Sequence, residues 1–224
     1  MFDIEAITLN DSYFKGARIL FSHLDKGVDY IIRNKIKDVC IWQGLDKTRH
    51  SVSFGFLKNL NHIETFHFMV RLSKKSDLNG LYNLSNLRDF RWVVNNQITI
   101  DFSKLTTIET VNIPYYDGMA LDKLVNLKNL YIDSVKTENL KFLPKLDSLK
   151  LLRIISGKFT SLEGLENCKN LKKLDLRRCF SLVEAHSTLK KLCNLESVTL
   201  EACKNHDIDV LELKKRVPHV GIVL

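Results

Sequence analysis

A short apolar pattern, Leu-x-x-Leu-x-Leu, recurs along most of the chain, with any large aliphatic or aromatic residue allowed at each consensus position. The clearest copies begin at Leu127, Leu146, Leu171 and Leu195, and weaker copies begin at Ile36, Ile63, Leu87, Ile108 and Val217. Successive copies begin roughly 19–27 residues apart, and recurrence at such a nearly fixed period indicates a repeat protein.

The spacing within each copy predicts the local structure. The second and third consensus residues are two positions apart, so they point to the same side of a short strand. One repeat cannot bury that side alone, and neighbouring repeats must therefore stack into a parallel sheet over a common core. We expect an α/β solenoid of about nine repeats, with short helices or irregular turns on the side opposite the sheet.

Four stretches, LVNLKNLYI, LPKLDSLKL, LENCKNLKKLDLRRC and LCNLESVTLEAC, resemble the leucine-rich repeat family. The type is the bacterial, internalin-like one, whose repeats are about 22 residues long. The resemblance covers Ile36 to Leu224. It implies a curved solenoid whose parallel sheet forms the concave side. It also implies an Asn or Cys eight residues after each first leucine, which hydrogen-bonds to neighbouring loops.

That polar ladder is incomplete in this chain. The eighth position holds Asn95, Cys179 and Cys203 in three repeats, but Arg71, Tyr116, Val135 and Ile154 in others. We therefore expect looser, more apolar turns through the middle of the solenoid.

The ends fit the pattern less well. Residues 1–35 are predicted to form an N-terminal cap or degenerate first repeat, and residues 36–224 the solenoid. Ile4-Ile7-Leu9 is a candidate strand, and Leu24 to Arg33 a candidate capping helix. Near the other end, Asp207 to Arg216 is predicted to be a helix that stops before Pro218, followed by a last strand in PHVGIVL.

The composition favours a folded intracellular protein without a disulfide framework. Hydrophobic residues make up 45% of the chain, and its start, MFDIEAITLN, has neither a basic segment nor an apolar stretch typical of a secretion signal. The five cysteines are an odd number and are expected to stay reduced. We therefore predict a cytoplasmic location.

Sequence motifs for catalysis or cofactors are absent. There is no Gly-rich phosphate loop, dinucleotide fingerprint, His-Glu-x-x-His zinc motif or Gly-x-Ser-x-Gly elbow. We expect no enzyme activity, no cofactor and no metal. The repeat assigns Cys168, Cys179 and Cys203 to the interior, and it leaves Cys40 on the exposed side of its strand as the most reactive thiol.

The residues that flank the buried positions of each strand are expected to line the concave side. Several are of the kinds enriched at interface centres, and a Trp, a Met and a Tyr are hard to explain as solvated surface. The predicted partner-binding residues are Trp42, His67, Met69, Arg91, Asn112, Tyr131, Asp133, Lys150, Asp175 and Arg177.

These observations favour a non-enzymatic protein that binds another protein. The net charge of +8 predicts a partner with an acidic surface. Nucleic acid is disfavoured, because acidic residues such as Glu163, Glu166 and Asp175 interrupt the basic clusters. A membrane partner is not expected.

Several roles remain open at this point. The chain resembles the small bacterial immunity proteins that neutralise the toxins of competing cells. The alternatives are a regulatory or scaffolding subunit of a cellular enzyme, a basic nucleic-acid-binding protein, and an effector delivered into host cells.

Overall fold

The structure, a computed structural model, describes residues 6–92 and 98–223. Two positions named above, Ile4 in the candidate first strand and Asn95 in the polar ladder, lie outside the described residues. The chain divides into two compact units, Met1–Ile100 and Asp101–Leu224. Both units are built from stacked leucine-rich repeats, and each is described by itself.

The first unit contains a sheet in which neighbouring strands follow chain order. Strand β1 pairs with β2 in the antiparallel sense, whereas β2 to β5 are all parallel. The turns between strands contain short 3-10 helices at Phe21–His23, Phe54–Leu57 and Asn79–Asn83. The strands are β1 (Ile7–Leu9), β2 (Ala17–Leu20), β3 (Asp38–Trp42), β4 (Thr65–Met69) and β5 (Asp89–Arg91), and the helix is α1 (Leu24–Asn34).

The second unit continues the same plan with six parallel strands, each paired with the next along the chain. Its 3-10 helices are Phe102–Lys104, Leu121–Lys123 and Leu165–Asn167. The strands are β6 (Thr110–Pro114), β7 (Asn129–Asp133), β8 (Leu151–Ile155), β9 (Lys173–Arg177), β10 (Ser197–Glu201) and β11 (His219–Val223), and the helices are α2 (His186–Lys191) and α3 (Val210–Lys214).

None of the helices in the described residues has the length and hydropathy that a membrane crossing requires. The helix predicted for Asp207 to Arg216 is present but shorter, at Val210–Lys214, and the predicted final strand is confirmed as β11.

The beginning of the chain contains a repeat strand that the pattern search missed. A strand at Ile7–Leu9 and a helix over Leu24–Asn34 confirm two predictions, but β2 lies between them and pairs in parallel with β3. The pattern is present as Phe14-Ala17-Ile19, with a small residue at its second position. Ala17 and Ile19 are both fully buried. The predicted boundary at residue 35 stays a prediction.

Helix α1 packs closely against β2 because of one glycine. A Cβ atom at Gly27 would lie 2.4 Å from Cγ2 of Ile19, closer than any side chain could approach. The absence of a side chain therefore allows the helix to cover the edge of the core.

Most consensus residues of each unit lie in its core. In the first unit it is rich in aromatic rings, with Phe68 and Trp92 stacked at 5.2 Å and Phe54 tilted against Phe68 at 4.8 Å. In the second unit it is aliphatic, and Leu130, Leu152 and Leu174 have at most 1% of their surface exposed. Burial of each such side chain contributes about 1.5–3 kcal/mol to folding.

One strand differs in register from the sequence prediction. The strand expected around Leu149 and Leu151 is shifted by three residues, so that Leu149, Leu152 and Ile154 fill the consensus positions and are fully buried. Asn129, Leu151 and Lys173 are then aligned across β7, β8 and β9. The segment LDSLKLLRI satisfies the pattern in both registers, and hydrogen bonding to the neighbouring strands selects the second.

The structure contains a ladder of polar side chains, but its regular members lie before the strands, whereas the predicted ladder follows them. Side chains one residue before the first consensus leucine donate to a backbone carbonyl of the preceding repeat, at 2.8–3.5 Å. These bonds satisfy turn carbonyls that stacking would otherwise leave unpaired. The donors are Asn86, Asn126, Ser148, Asn170 and Asn194.

The turns after the strands are not looser in the middle repeats, contrary to expectation. The residues that follow β7, β8, β9 and β10 all have positive φ, between 54° and 60°. The backbone N–H of each donates to the carbonyl oxygen of the last residue of the next strand, at 2.7–2.8 Å. The four residues are Ser134, Ser156, Arg178 and Ala202.

The register of β8 can be tested with two adjacent leucines. Leu152→Ala should lower the free energy of unfolding by about 2–5 kcal/mol, because it leaves a cavity in the core. Leu151→Ala, at a half-buried position on the opposite side of the strand, should cost far less. Urea denaturation of the two variants measures the difference. A larger loss for Leu151→Ala would restore the register expected from sequence.

Candidate protein-binding face

In each unit, the side chains of the repeat strands from β3 onward that point away from the core form what we call the open strand face. Nine of the ten predicted binding residues lie on it. They are Trp42, His67, Met69 and Arg91 in the first unit, and Asn112, Tyr131, Asp133, Asp175 and Arg177 in the second.

Lys150 was predicted to lie on this face, and that prediction is wrong. The shift of β8 places Lys150 just before the strand, where it is exposed at the strand's start. Its place on the open strand face is taken by Arg153, which is aligned with Tyr131 on β7 and Asp175 on β9. These three positions are evenly spaced along the chain, and that periodicity is the signal that would have identified Arg153.

In the first unit, the loop between β1 and β2 covers part of the open strand face. The ring of Phe14 lies edge-on to His67, with centroids 5.1 Å apart. The guanidinium of Arg18 lies 4.5 Å from the centre of the Trp42 ring and also forms an ion pair with Asp11. Beside them Tyr13 is 84% exposed. Trp42 and His67 are therefore anchored by the loop and by β2, both within the segment that the sequence predicts to be an N-terminal cap or degenerate first repeat.

This covering also corrects the prediction for Cys40, which is only 3% exposed. Burial raises the pKa of its thiol to about 11. Cys193, in the second unit, is the exposed thiol among the described residues. The interior placement of Cys168, Cys179 and Cys203 is confirmed, since all three are fully buried.

His67 and Arg91 are neighbours on β4 and β5. His67 Nε2 is 3.1 Å from Asp89 Oδ1, and in the register of β4 and β5 His67 is opposite Arg91. Within residues 6–92 and 98–223, Arg91 Nε is buried and has no hydrogen-bond partner.

In the second unit, five side chains form a connected row across β7 to β10. The Arg153 guanidinium lies 5.3 Å from the Tyr131 ring centre and donates to Asp175 Oδ2 at 2.6 Å. Arg177 Nε donates to Asp175 Oδ1 at 3.0 Å, and Arg177 Nη1 is 3.1 Å from Glu201 Oε2. We call Tyr131, Arg153, Asp175, Arg177 and Glu201 the ion-paired row.

Asp175 is the centre of that row. Its burial alone would raise the pKa of the carboxyl, but hydrogen bonds and charge from Arg177 and Arg153 outweigh burial and hold the pKa below its ordinary value. With only 14% of its side chain exposed, Asp175 stays ionised and fixes both guanidinium groups.

Asp133 is in the opposite situation. It lies between Pro114 and Ile155 in the register of β6, β7 and β8. Burial raises the pKa of its carboxyl, and a hydrogen bond with Ser134 only partly opposes the effect. In the described part of the chain, its Oδ1 has no hydrogen-bond partner. Asp133 therefore keeps a buried carboxylate oxygen without a partner among the described residues.

The groups that could bind a metal ion or act as nucleophiles are placed as follows. Across the described residues, no three His, Cys, Asp or Glu side chains come together in a way that could hold a metal ion. The buried thiols are engaged with backbone: Cys179 Sγ donates to Arg177 O at 3.6 Å, and Cys203 Sγ donates to Leu176 O at 3.6 Å.

Thiol labelling tests the assignment of Cys193 and Cys40. In the native protein, an aromatic disulfide reagent should modify one of the five thiols rapidly, and Cys193→Ser should abolish that reaction. Cys40→Ser should leave it unchanged, because the Cys40 thiol is buried and remains protonated at neutral pH. Loss of rapid labelling in Cys40→Ser would contradict this assignment.

The ion-paired row should make stability depend on pH. Because the pKa of Asp175 is lowered by folding, its contribution is present above the ordinary value of 3.8 and is lost as pH falls through the lower folded value. Asp175→Asn should therefore lower the free energy of unfolding by about 1 kcal/mol at neutral pH. The difference from wild type should vanish in strong acid.

The matched control is Asp147→Asn. Asp147 forms an ion pair with Lys145 at 3.0 Å, but 59% of its side chain is exposed. Urea denaturation of both variants at several pH values should show little change for Asp147→Asn. Equal effects of the two substitutions would remove the ion-paired row as a source of stability.

No protein-family model matches the chain, and no curated protein matches its sequence. Solved structures do match. An internalin C2 (inlC2) from Listeria monocytogenes is 21% identical, with a TM-score of 0.61 over 84% of this chain and 81% of that one. An internalin (inlF) from the same species is 17% identical, with a TM-score of 0.51 over 81% of this chain.

A leucine-rich repeat protein from Leptospira interrogans is 16% identical, with a TM-score of 0.55 over 76% of this chain. The match spans 64% of the inlF chain and 45% of the Leptospira chain. At these identities the likeness is one of fold. Together with the repeats, the ladder and the parallel strands, it shows that this chain has the leucine-rich repeat fold of the bacterial internalins.

Proposed function

We propose that this chain is a protein-binding module that uses the open strand face, with the ion-paired row of the second unit at the centre of the interface. The observation that carries the proposal is the fixed geometry of that row. Two arginines held by one largely buried carboxylate lose little freedom on binding, and such pre-organisation lowers the cost of association.

The chemistry of the row supports a protein partner. Tyr131 and Arg153 are of the residue types that dominate interface energies, and they already stack on each other. Leu151 and Ile155 flank Arg153 on the same side of β8 and are half-buried, so they add apolar area. Asp133 is half-buried on the same side of β7 and adds a carboxylate to this face.

The charge of this face does not by itself call for an acidic partner. On β7 to β10 of the second unit, the cations Arg153, Lys173 and Arg177 are matched by the acids Asp133, Asp175 and Glu201. The face is thus suited to a partner of mixed charge, and the chain's excess of +8 lies elsewhere on its surface.

Two biological roles remain within this proposal. In the first, the chain is an immunity protein that covers the surface of a bacterial toxin. In the second, it is a regulatory or scaffolding subunit of a cellular enzyme. Deletion of the encoding sequence separates them: an immunity protein is needed only when its toxin is present, whereas a regulator is needed under all conditions.

Substitution of the row tests the binding proposal. Tyr131→Ala with Arg153→Ala should weaken binding of the cellular partner by about 2 kcal/mol or more, roughly thirtyfold, if both residues are hot spots. The measurement is capture of partners by the purified chain, followed by titration of the captured protein. Far-UV circular dichroism checks that the double variant is folded.

Arg33→Ala is the control, because Arg33 is exposed on α1 and does not lie on the open strand face. A partner that binds wild type and Arg33→Ala but not the double variant supports the proposal. A partner retained equally by all three would exclude the ion-paired row as the binding centre.

A further inference from the structure

The turns that follow β7, β8, β9 and β10 present a second row of side chains. Because the residue after each strand has the same positive φ and the same hydrogen bond to the next strand, later residues of the four turns are also aligned. A further bond, from Lys158 N to Val135 O at 2.8 Å, ties two of the turns together.

The alignment alternates between buried and exposed positions. Two residues after each strand, Val135, Gly157, Cys179 and Cys203 are buried. Three residues after each strand, Lys136, Lys158, Phe180 and Lys204 are exposed. Arg178 is exposed beside them. We call Lys136, Lys158, Arg178, Phe180 and Lys204 the strand-end row.

Within the part of the chain that the structure describes, no ion pair involves Lys136, Lys158, Arg178 or Lys204. This contrasts with the lysines at the starts of the strands, where Lys128 pairs with Glu109 and Lys172 with Glu196, both at 2.6 Å. The strand-end row is therefore a site of uncompensated positive charge.

Phe180 interrupts the cations with an apolar side chain. It is 56% exposed, although a phenylalanine gains most from burial. With neighbouring strands about 4.8 Å apart, the aligned turns span roughly 14 Å, which is the length of a short peptide segment.

We propose that the strand-end row is a docking surface for an acidic segment of a protein, in which Asp or Glu residues flank an apolar side chain that covers Phe180. Charge complementarity with four unpaired cations selects the acidic residues. The Phe180 ring, exposed between the cations, offers an apolar contact that a segment of charged residues alone could not make.

The same features disfavour nucleic acid. Surfaces that bind single strands combine a basic track with several aromatic rings on which successive bases stack. The strand-end row offers one ring. Glu138 and Glu184 follow in the same turns, and both are exposed. Their carboxylates would repel a continuous phosphate backbone more than a short segment that carries only a few acidic residues.

This surface is distinct from the open strand face. The turns that carry it continue from the ends of the strands, and none of its five residues belongs to the ion-paired row. The two sites can therefore be inactivated separately, and failure of one leaves the other unaffected.

The test uses a fluorescently labelled peptide in which Glu and Asp flank a pair of Leu residues, with its Gln and Asn analogue and a single-stranded oligothymidine as comparisons. Binding to the full chain is followed by fluorescence anisotropy at low and moderate salt. We expect the acidic peptide to bind, the neutral analogue to bind at least about tenfold more weakly, and affinity to fall with salt.

The charge variant is Lys136→Glu with Lys158→Glu and Lys204→Glu. Its matched control is Lys26→Glu with Lys47→Glu and Lys74→Glu, three exposed lysines of the first unit that change the net charge equally. The strand-end variant should reduce peptide affinity at least about tenfold. The control should reduce it much less, because it leaves the charges of the docking surface unchanged and salt screens charges at longer range.

Phe180→Ser tests the apolar contact against Leu45→Ser, at an 86% exposed position of the first unit. The first should weaken peptide binding severalfold and the second should not. Equal losses in the two lysine variants, tighter binding of the oligothymidine than of the peptide, or no binding of the peptide would each overturn the proposal.

Discussion

Each repeat of this protein has an apolar side that only its neighbours can cover, and the rest of the structure depends on that constraint. In the second unit, Leu130, Leu152 and Leu174 lie side by side in the interior because their strands are hydrogen-bonded in register. A repeat that slipped by one residue would turn its leucines outward. The hydrogen bonds between strands and the packing of the core therefore require the same register.

In-register stacking also arranges the polar surface into rows. Side chains at equivalent positions of successive repeats become neighbours about 4.8 Å apart, whatever their separation in sequence. Where the repeats place opposite charges at one position, as with Arg153 and Asp175, the result is an ion pair at 2.6 Å. Where they place like charges, as with Lys136 and Lys158, the charges remain uncompensated. The two kinds of row give the second unit one charge-balanced face and one basic edge.

Residues of the candidate site could be predicted from sequence only where the register of their strand could be predicted. Tyr131 and Asp175 follow from strands with only one plausible register. Arg153 was missed and Lys150 was included in error, because five leucines between positions 143 and 152 satisfy the pattern in two registers. The pattern also did not show that Phe14 and Arg18 would pack against His67 and Trp42, because the copy Phe14-Ala17-Ile19 has a small residue at its second position and was not recognised as a repeat.

The sequence by itself determined the fold class, the number and order of the strands from β3 onward, and the burial of most consensus residues. It could do so because an apolar pattern that recurs at so regular a period has few other ways to be buried. The tertiary structure decided the register of β8, the presence of β2, the burial of Cys40 and the pairing of charges. Each of these depends on hydrogen bonds or side-chain contacts between residues far apart in the chain, and a local pattern carries no record of such contacts.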